Sequence, residues 1–204
     1  MIKANKIYSV KEIFLTLQGE GYNIGTPAVF CRFSGCNLWN GLEKDRRKAV
    51  CSFCDTDFNG VDGINGGKYK LNDLVKIINS LWPKRKKNKF VVFTGGEPIL
   101  QLDSNLIKKI KNHGFRVAIE TNGTLSLPKE IDWVCVSPKI KSKLIVKKGN
   151  EIKVVFPQKN IVLSEYENLN FQHFYIQPLE NKDIVLNTKK SIDYVLKNPK
   201  WKLS

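Results

Sequence analysis

The chain is 204 residues long, 42% hydrophobic and formally +15 at neutral pH. That length suits one domain with a full core. No apolar stretch approaches the roughly 20 residues that span a bilayer, and Met1–Lys6 carries no apolar leader core, so a reduced, cytoplasmic setting is expected.

In chain order, an extended segment near 7–17 precedes a short apolar run at 28–33. Three cysteines follow, Cys36, Cys51 and Cys54, spaced Cys-x14-Cys-x2-Cys. Three thiols without a close fourth suit an open iron–sulfur centre, because four cysteines would close the site. Zinc completed by His113 or His173 and a disulfide remain alternatives, although neither histidine has finger-like spacing and the five cysteines are odd in number. A glycine-rich stretch, 57–69, reads as a loop. A helix at 71–82 places Leu71, Leu74, Val75, Ile78 and Leu81 on one face.

The basic run Lys84–Lys89 then falls in a loop before a strand at 90–94. A helix at 104–113 stops at Gly114, with His113 as a dipole-favoured cap. Strands are expected at 115–120, 131–136, 151–156 and 173–177, then a helix at 188–197 with Ile192, Val195 and Leu196 on one side. β-branched runs such as Phe90–Phe93 fit a parallel sheet covered on both faces. Six mostly parallel strands with three main helices make an α/β, open partial (β/α) barrel in a single domain over residues 1–204. No repeat or linker divides it. Lys139, Lys141, Lys143, Lys147 and Lys148 form a second basic cluster, but no nucleic-acid module accompanies either one. Cys31 and Cys135 read as core thiols.

Four polar turns end the strands: Thr94-Gly95-Gly96-Glu97-Pro98, Glu120-Thr121-Asn122-Gly123, Ser137-Pro138-Lys139 and Gln177-Pro178-Leu179-Glu180. Each alone is an ordinary turn, but together they would ring the carboxyl edge of the sheet, where α/β folds bind ligands. Glycines 95 and 96 would let backbone approach a ligand, and Glu97 would accept from an ammonium or ribose hydroxyl.

The thiols and these turns, with Leu17-Gln18-Gly19-Glu20-Gly21 and Cys51-Ser52-Phe53-Cys54-Asp55-Thr56, resemble the radical S-adenosylmethionine enzymes and, within them, the 7-carboxy-7-deazaguanine synthases of queuosine and 7-deazapurine biosynthesis. The resemblance runs from about residue 7 to the C-terminus. It implies a carbon–nitrogen lyase that contracts 6-carboxy-5,6,7,8-tetrahydropterin to 7-carboxy-7-deazaguanine with loss of ammonia. Cys36, Cys51 and Cys54 would hold a [4Fe-4S] cluster within a loop spanning about 36–56, longer than the usual Cys-x3-Cys-x2-Cys, and Thr56 would ligate Mg²⁺. Leu17, Gln18, Gly19, Glu20, Arg32 and Thr94 would contact the pterin, with Arg32 on its carboxylate. Gly95, Gly96, Glu97, Glu120, Asn122, Ser137, Pro138, Lys139 and Gln177 to Glu180 would cradle S-adenosylmethionine.

It further implies an electron donor such as flavodoxin or ferredoxin, a homodimer, and no direct contact with nucleic acid or membrane. Family members extend several residues beyond a stretch like Trp201–Ser204, and that tail helps close their pocket. A glycyl-radical activase and a basic zinc-containing nucleic-acid-binding protein are the rival readings.

Overall fold

The computed structural model describes residues 6–204. Its strands are β1 (Ile7–Leu17), β2 (Pro27–Phe33), β3 (Gly67–Lys70), β4 (Phe90–Gly95), β5 (Arg116–Thr121), β6 (Trp133–Val136), β7 (Lys148–Phe156), β8 (Asn170–Pro178) and β9 (Trp201–Leu203). The helices are α1 (Leu71–Leu81), α2 (Ser104–Asn112) and α3 (Ile184–Lys197). One sheet joins all the strands in the order β3-β1-β2-β4-β5-β6-β7-β8-β9. From β2 to β9 every neighbouring pair is parallel, whereas β1 runs antiparallel to both β2 and β3. Because β3 and β9 are free edges, the barrel stays open.

The six expected strands are all present. The segment near 7–17 is a full sheet member, and the short β3 and β9 extend the two edges. Only α1, α2 and α3 serve as α-helical connections; the crossings from β5 to β6 and β6 to β7 run through loops, and that from β7 to β8 through a loop with a 3-10 turn at Leu163–Tyr166.

One face of the sheet packs beneath the helices. Leu74, Val75 and Ile78 of α1 and Leu106, Ile107 and Ile110 of α2 are buried there with Val29, Phe93 and Ile119. Each such side chain contributes about 1.5–3 kcal/mol by leaving water. A second cluster gathers Ile152, Val154, Phe174, Ile176 and Trp201. Asp103 fixes the start of α2 by accepting the Leu106 N–H at 3.0 Å. His113 caps its end and Gly114 follows at φ +81°, as a C′ glycine does.

Two expectations need correction. The strands are not apolar on both faces: Glu120, Cys135, Glu151 and His173 are laterally in register across β5–β8 and share one face. In addition, α3 begins four residues earlier than expected and turns Asn187 and Ser191 toward the sheet, leaving Leu196 78% and Ile192 40% exposed. Val195 alone of the three packs against the core. The helix phase follows Asn187, whose Nδ2 donates to Leu179 O at 2.8 Å and to Asn181 Oδ1 at 3.0 Å.

Candidate active site at the carboxyl edge of the sheet

The parallel strands end at one rim, and their turns surround a cavity of about 650 Å³, within the usual range of small-molecule sites. Cys36 follows β2, while Cys51 and Cys54 sit in the turn after a 3-10 segment, Glu43–Lys48. All three line this cavity. Arg46 holds their turn in place: its Nη1 donates to Ser52 O at 3.1 Å and Cys54 O at 2.8 Å, and its guanidinium stacks 4.1 Å from the Trp39 ring. The segment 37–50 therefore carries its own anchor for the second and third thiols.

Cys51 and Cys54 share a hydrogen bond that keeps the proton on Cys51 and lowers Cys54 below the ordinary thiol value, helped by the Thr56 N–H and Lys139. Burial raises Cys36. Among the described residues, no three Cys, His, Asp or Glu side chains form a set around a single ion.

The four turns meet here, though not always as the sequence suggested. Thr94, Gly95, Gly96, Glu120, Asn122, Ser137, Lys139 and Gln177 through Glu180 line the cavity, whereas Pro138 and Glu97 do not. Pro138 is buried behind the rim. Glu97 is 0% exposed and its carboxylate accepts from Thr121 Oγ1 at 2.7 Å, Asn122 N at 2.8 Å and Ile99 N at 3.1 Å. It ties two turns together from beneath, its carboxylate serving these protein donors rather than lining the cavity where an ammonium or ribose hydroxyl was expected to meet it. Burial raises its pKa against those hydrogen bonds.

The glycine pair also faces protein. A Cβ at Gly95, where φ is +150°, would meet Phe33 O at 2.3 Å; one at Gly96 would meet Gly35 O at 2.3 Å and Cys36 Cβ at 2.7 Å. These glycines let the Thr94 turn lie directly against the loop bearing Cys36, and the Glu97 N–H seals the contact on Gly35 O at 2.9 Å. Lys139 leaves the solvated lysine cluster: its Nζ donates to Ser137 Oγ at 2.7 Å and lies 5.8 Å from the Phe53 ring, and burial lowers its pKa. Lys141, Lys143, Lys147 and Lys148 are exposed. Gln177 Oε1 is buried without a hydrogen-bond partner among the described residues, an acceptor awaiting a donor.

On the other side of the cavity stand Leu17, Gln18, Gly19, Glu20 and Arg32. Gln18 Nε2 donates to Glu120 Oε1 at 2.8 Å, and Gln18 Oε1 accepts the Glu20 N–H at 3.2 Å. Arg32 gives its Nε to Glu12 Oε1 at 2.7 Å, a pairing that orients the guanidinium. Thr56 also lines the cavity, between Asp55 and Asp57, and offers the hard oxygen donors that Mg²⁺ selects. Lys11, aimed by an irregularity in the β1 register, joins Asp57 at 2.7 Å and Asp62 at 2.8 Å and so pins the loop after the thiols.

Sequence reading missed Lys153, Glu12, Lys11 and Arg46. For Lys153 the signal was available: its alternation with Glu151 puts two charged residues on one face of a strand whose intervening residue, Ile152, is apolar. Cys135 is buried as expected but borders the cavity rather than an all-apolar core.

No protein-family model matches the chain. A 7-carboxy-7-deazaguanine synthase of Burkholderia multivorans is 57% identical over 198 residues, covering 97% of this chain and 94% of that protein. The chain belongs to the 7-carboxy-7-deazaguanine synthase family. The synthase of Caulobacter vibrioides is 51% identical over the same shares of both chains. Among solved structures, QueE from Escherichia coli superposes with a TM-score of 0.68 at 27% identity, covering 97% of this chain and 92% of that one. Membership makes this a radical S-adenosylmethionine lyase of 7-deazapurine biosynthesis. The open parallel sheet with few helices is the partial barrel such an enzyme uses.

Proposed function

We propose that the chain converts 6-carboxy-5,6,7,8-tetrahydropterin into 7-carboxy-7-deazaguanine with release of ammonia, and that the cavity described above is where it does so. One observation carries this reading: a chain of this family gathers all three thiols, residues of all four rim turns, and the Leu17–Glu20 segment around a single cavity.

In this reading Cys36, Cys51 and Cys54 hold a [4Fe-4S] cluster. Lys139, Ser137, Gly96, Glu120, Asn122 and Gln177–Glu180 hold S-adenosylmethionine, with Gln177 Oε1 accepting one of its hydrogen bonds. When bound, these two groups supply the electron and the 5′-deoxyadenosyl radical that start the ring contraction. The protein orients, pairs charge and excludes water. Arg32, braced by Glu12, faces the pterin carboxylate. Leu17, Gln18, Gly19, Glu20 and Thr94 position the ring system, and Thr56 joins substrate oxygens and water around Mg²⁺.

The +15 charge draws in the anionic substrate, so its on-rate falls with salt. A flavodoxin- or ferredoxin-like donor supplies the electron, and the enzyme works in the cytoplasm as a homodimer. No described helix is long and apolar enough to cross a membrane.

The test is anaerobic incubation of the reconstituted chain with the carboxypterin, S-adenosylmethionine, Mg²⁺ and a reductant. Formation of 7-carboxy-7-deazaguanine and ammonia supports the assignment. Cleavage of S-adenosylmethionine without that product overturns the substrate and leaves the fold assignment standing.

A further inference from the structure

Lys153 has no part in the roles assigned so far. It lies on β7 facing the cavity and is 6% exposed. Its Nζ pairs with the Glu20 carboxylate, whose side chain stays 43% exposed. Burial works against its charge, but Glu120 and Glu20 outweigh that and hold its pKa above the ordinary lysine value. Glu20, Gln18, Glu120 and Lys153 thus form a connected polar group drawn from three parts of the chain.

Burying an ammonium is costly, and a buried ion pair is a weak source of stability, so its retention points to specificity. An ammonium has three donors. Among the described residues Glu20 is the one hydrogen-bond partner of Lys153, leaving donors for a ligand. The pair therefore shows the cavity two carboxylate acceptors with a charged donor beside them. A fused 2-amino-4-oxopyrimidine ring has the complementary edge: an amino N–H, a ring N–H, then a carbonyl oxygen.

Resting on the synthase reading, we propose that Lys153 is a specificity residue that donates to the ring carbonyl of the pterin, while Glu20, held in place by Lys153, accepts from the amino and ring N–H groups. A 4-thioxo analogue keeps the amino and ring N–H groups that face Glu20 and replaces only the carbonyl oxygen with a weakly accepting sulfur opposite the ammonium. The reconstituted wild-type chain is titrated calorimetrically with the 6-carboxy-4-oxo pterin and with its 4-thioxo counterpart. The oxo compound is expected to bind about tenfold tighter or more, the scale of one hydrogen bond to a charged group. In Lys153→Met the oxo compound weakens about ten- to hundredfold, the range for a lost charge-assisted hydrogen bond, and the preference collapses.

Equal binding of the two compounds by the wild type overturns the proposal whether or not the variant folds, as does a folded Lys153→Met chain that keeps the preference. Product formation is scored separately: a wild type that discriminates the two rings but makes no deazaguanine contradicts the synthase reading and supports the role of Lys153.

Discussion

Replacing Gly96 by alanine separates two explanations of the Thr94–Pro98 turn. If the glycine exists for close packing of protein on protein, its loss is felt before any ligand binds. The added Cβ would stand 2.3 Å from Gly35 O and 2.7 Å from Cys36 Cβ, against ordinary contacts of about 3.5 Å, so the two loops must part by about 1 Å. Both contacts are backbone or Cβ atoms, which cannot swing aside as a flexible side-chain end can. Overpacking of this kind costs about 1–3 kcal/mol. Parting the loops also weakens the 2.9 Å bond from Glu97 N to Gly35 O, worth about 1 kcal/mol.

At about 2–4 °C per kcal/mol for a chain of this size, the midpoint of thermal unfolding should fall by roughly 10 °C. The assay is an anaerobic melt of cluster-free protein, followed by iron counting after reconstitution, with Gly96→Ala expected to hold less iron because Cys36 has moved. Gly19→Ala is the control: nothing lies within 4 Å of its Cβ, so its midpoint should match the wild type. If cluster-free Gly96→Ala melts with the wild type and only S-adenosylmethionine binding suffers, the packing argument is wrong and the glycine serves ligand approach.

Three other outcomes are expected. Arg46→Met removes the donors to Ser52 O and Cys54 O; the variant should fold but lose iron faster in air, and unchanged iron retention would show that the turn needs no anchor. Asn187→Ala unpins Leu179 O and should raise the S-adenosylmethionine KM several-fold while costing about 1–2 kcal/mol in denaturant unfolding; an unaltered KM would separate α3 from the rim. Asp103 has a lowered pKa because its contacts with Lys6, the Leu106 N–H and Tyr8 overcome burial. Its contribution is thus present above the unfolded value near 3.9 and lost as pH falls below it. Asp103→Ala should cost about 1 kcal/mol at neutral pH as a lost helix cap and flatten the acid limb of the stability profile; an acid limb identical to the wild type would remove Asp103 from it.

The parallel strands were legible because Phe90–Phe93 and Val117–Ile119 are short β-branched or aromatic runs ended by glycine- or asparagine-bearing turns. The thiols and turns were legible because their spacing is unusual and their order along the chain restricts what they can build. β3 and β9 were not, since Gly67–Lys70 and Trp201–Leu203 are short, partly polar edges whose pairing depends on distant strands. The phase of α3 was misjudged because its apolar residues suggest one buried face, whereas a carbonyl on the rim fixes Asn187 and carries the helix with it. Glu97 departed from expectation for a related reason, whereas Lys139 reached the cavity as its Ser137-Pro138-Lys139 turn suggested. A carboxylate in a turn reads as available until the sheet shows which turns face one another.

Everything turns on three thiolates leaving one iron of a cluster free for S-adenosylmethionine. Electron paramagnetic resonance of the anaerobically reconstituted, reduced chain tests this directly. The account predicts a [4Fe-4S]⁺ signal that shifts when S-adenosylmethionine is added and is absent when Cys36, Cys51 and Cys54 are replaced by alanine. A cluster signal indifferent to S-adenosylmethionine, or one that survives loss of those three cysteines, would contradict it.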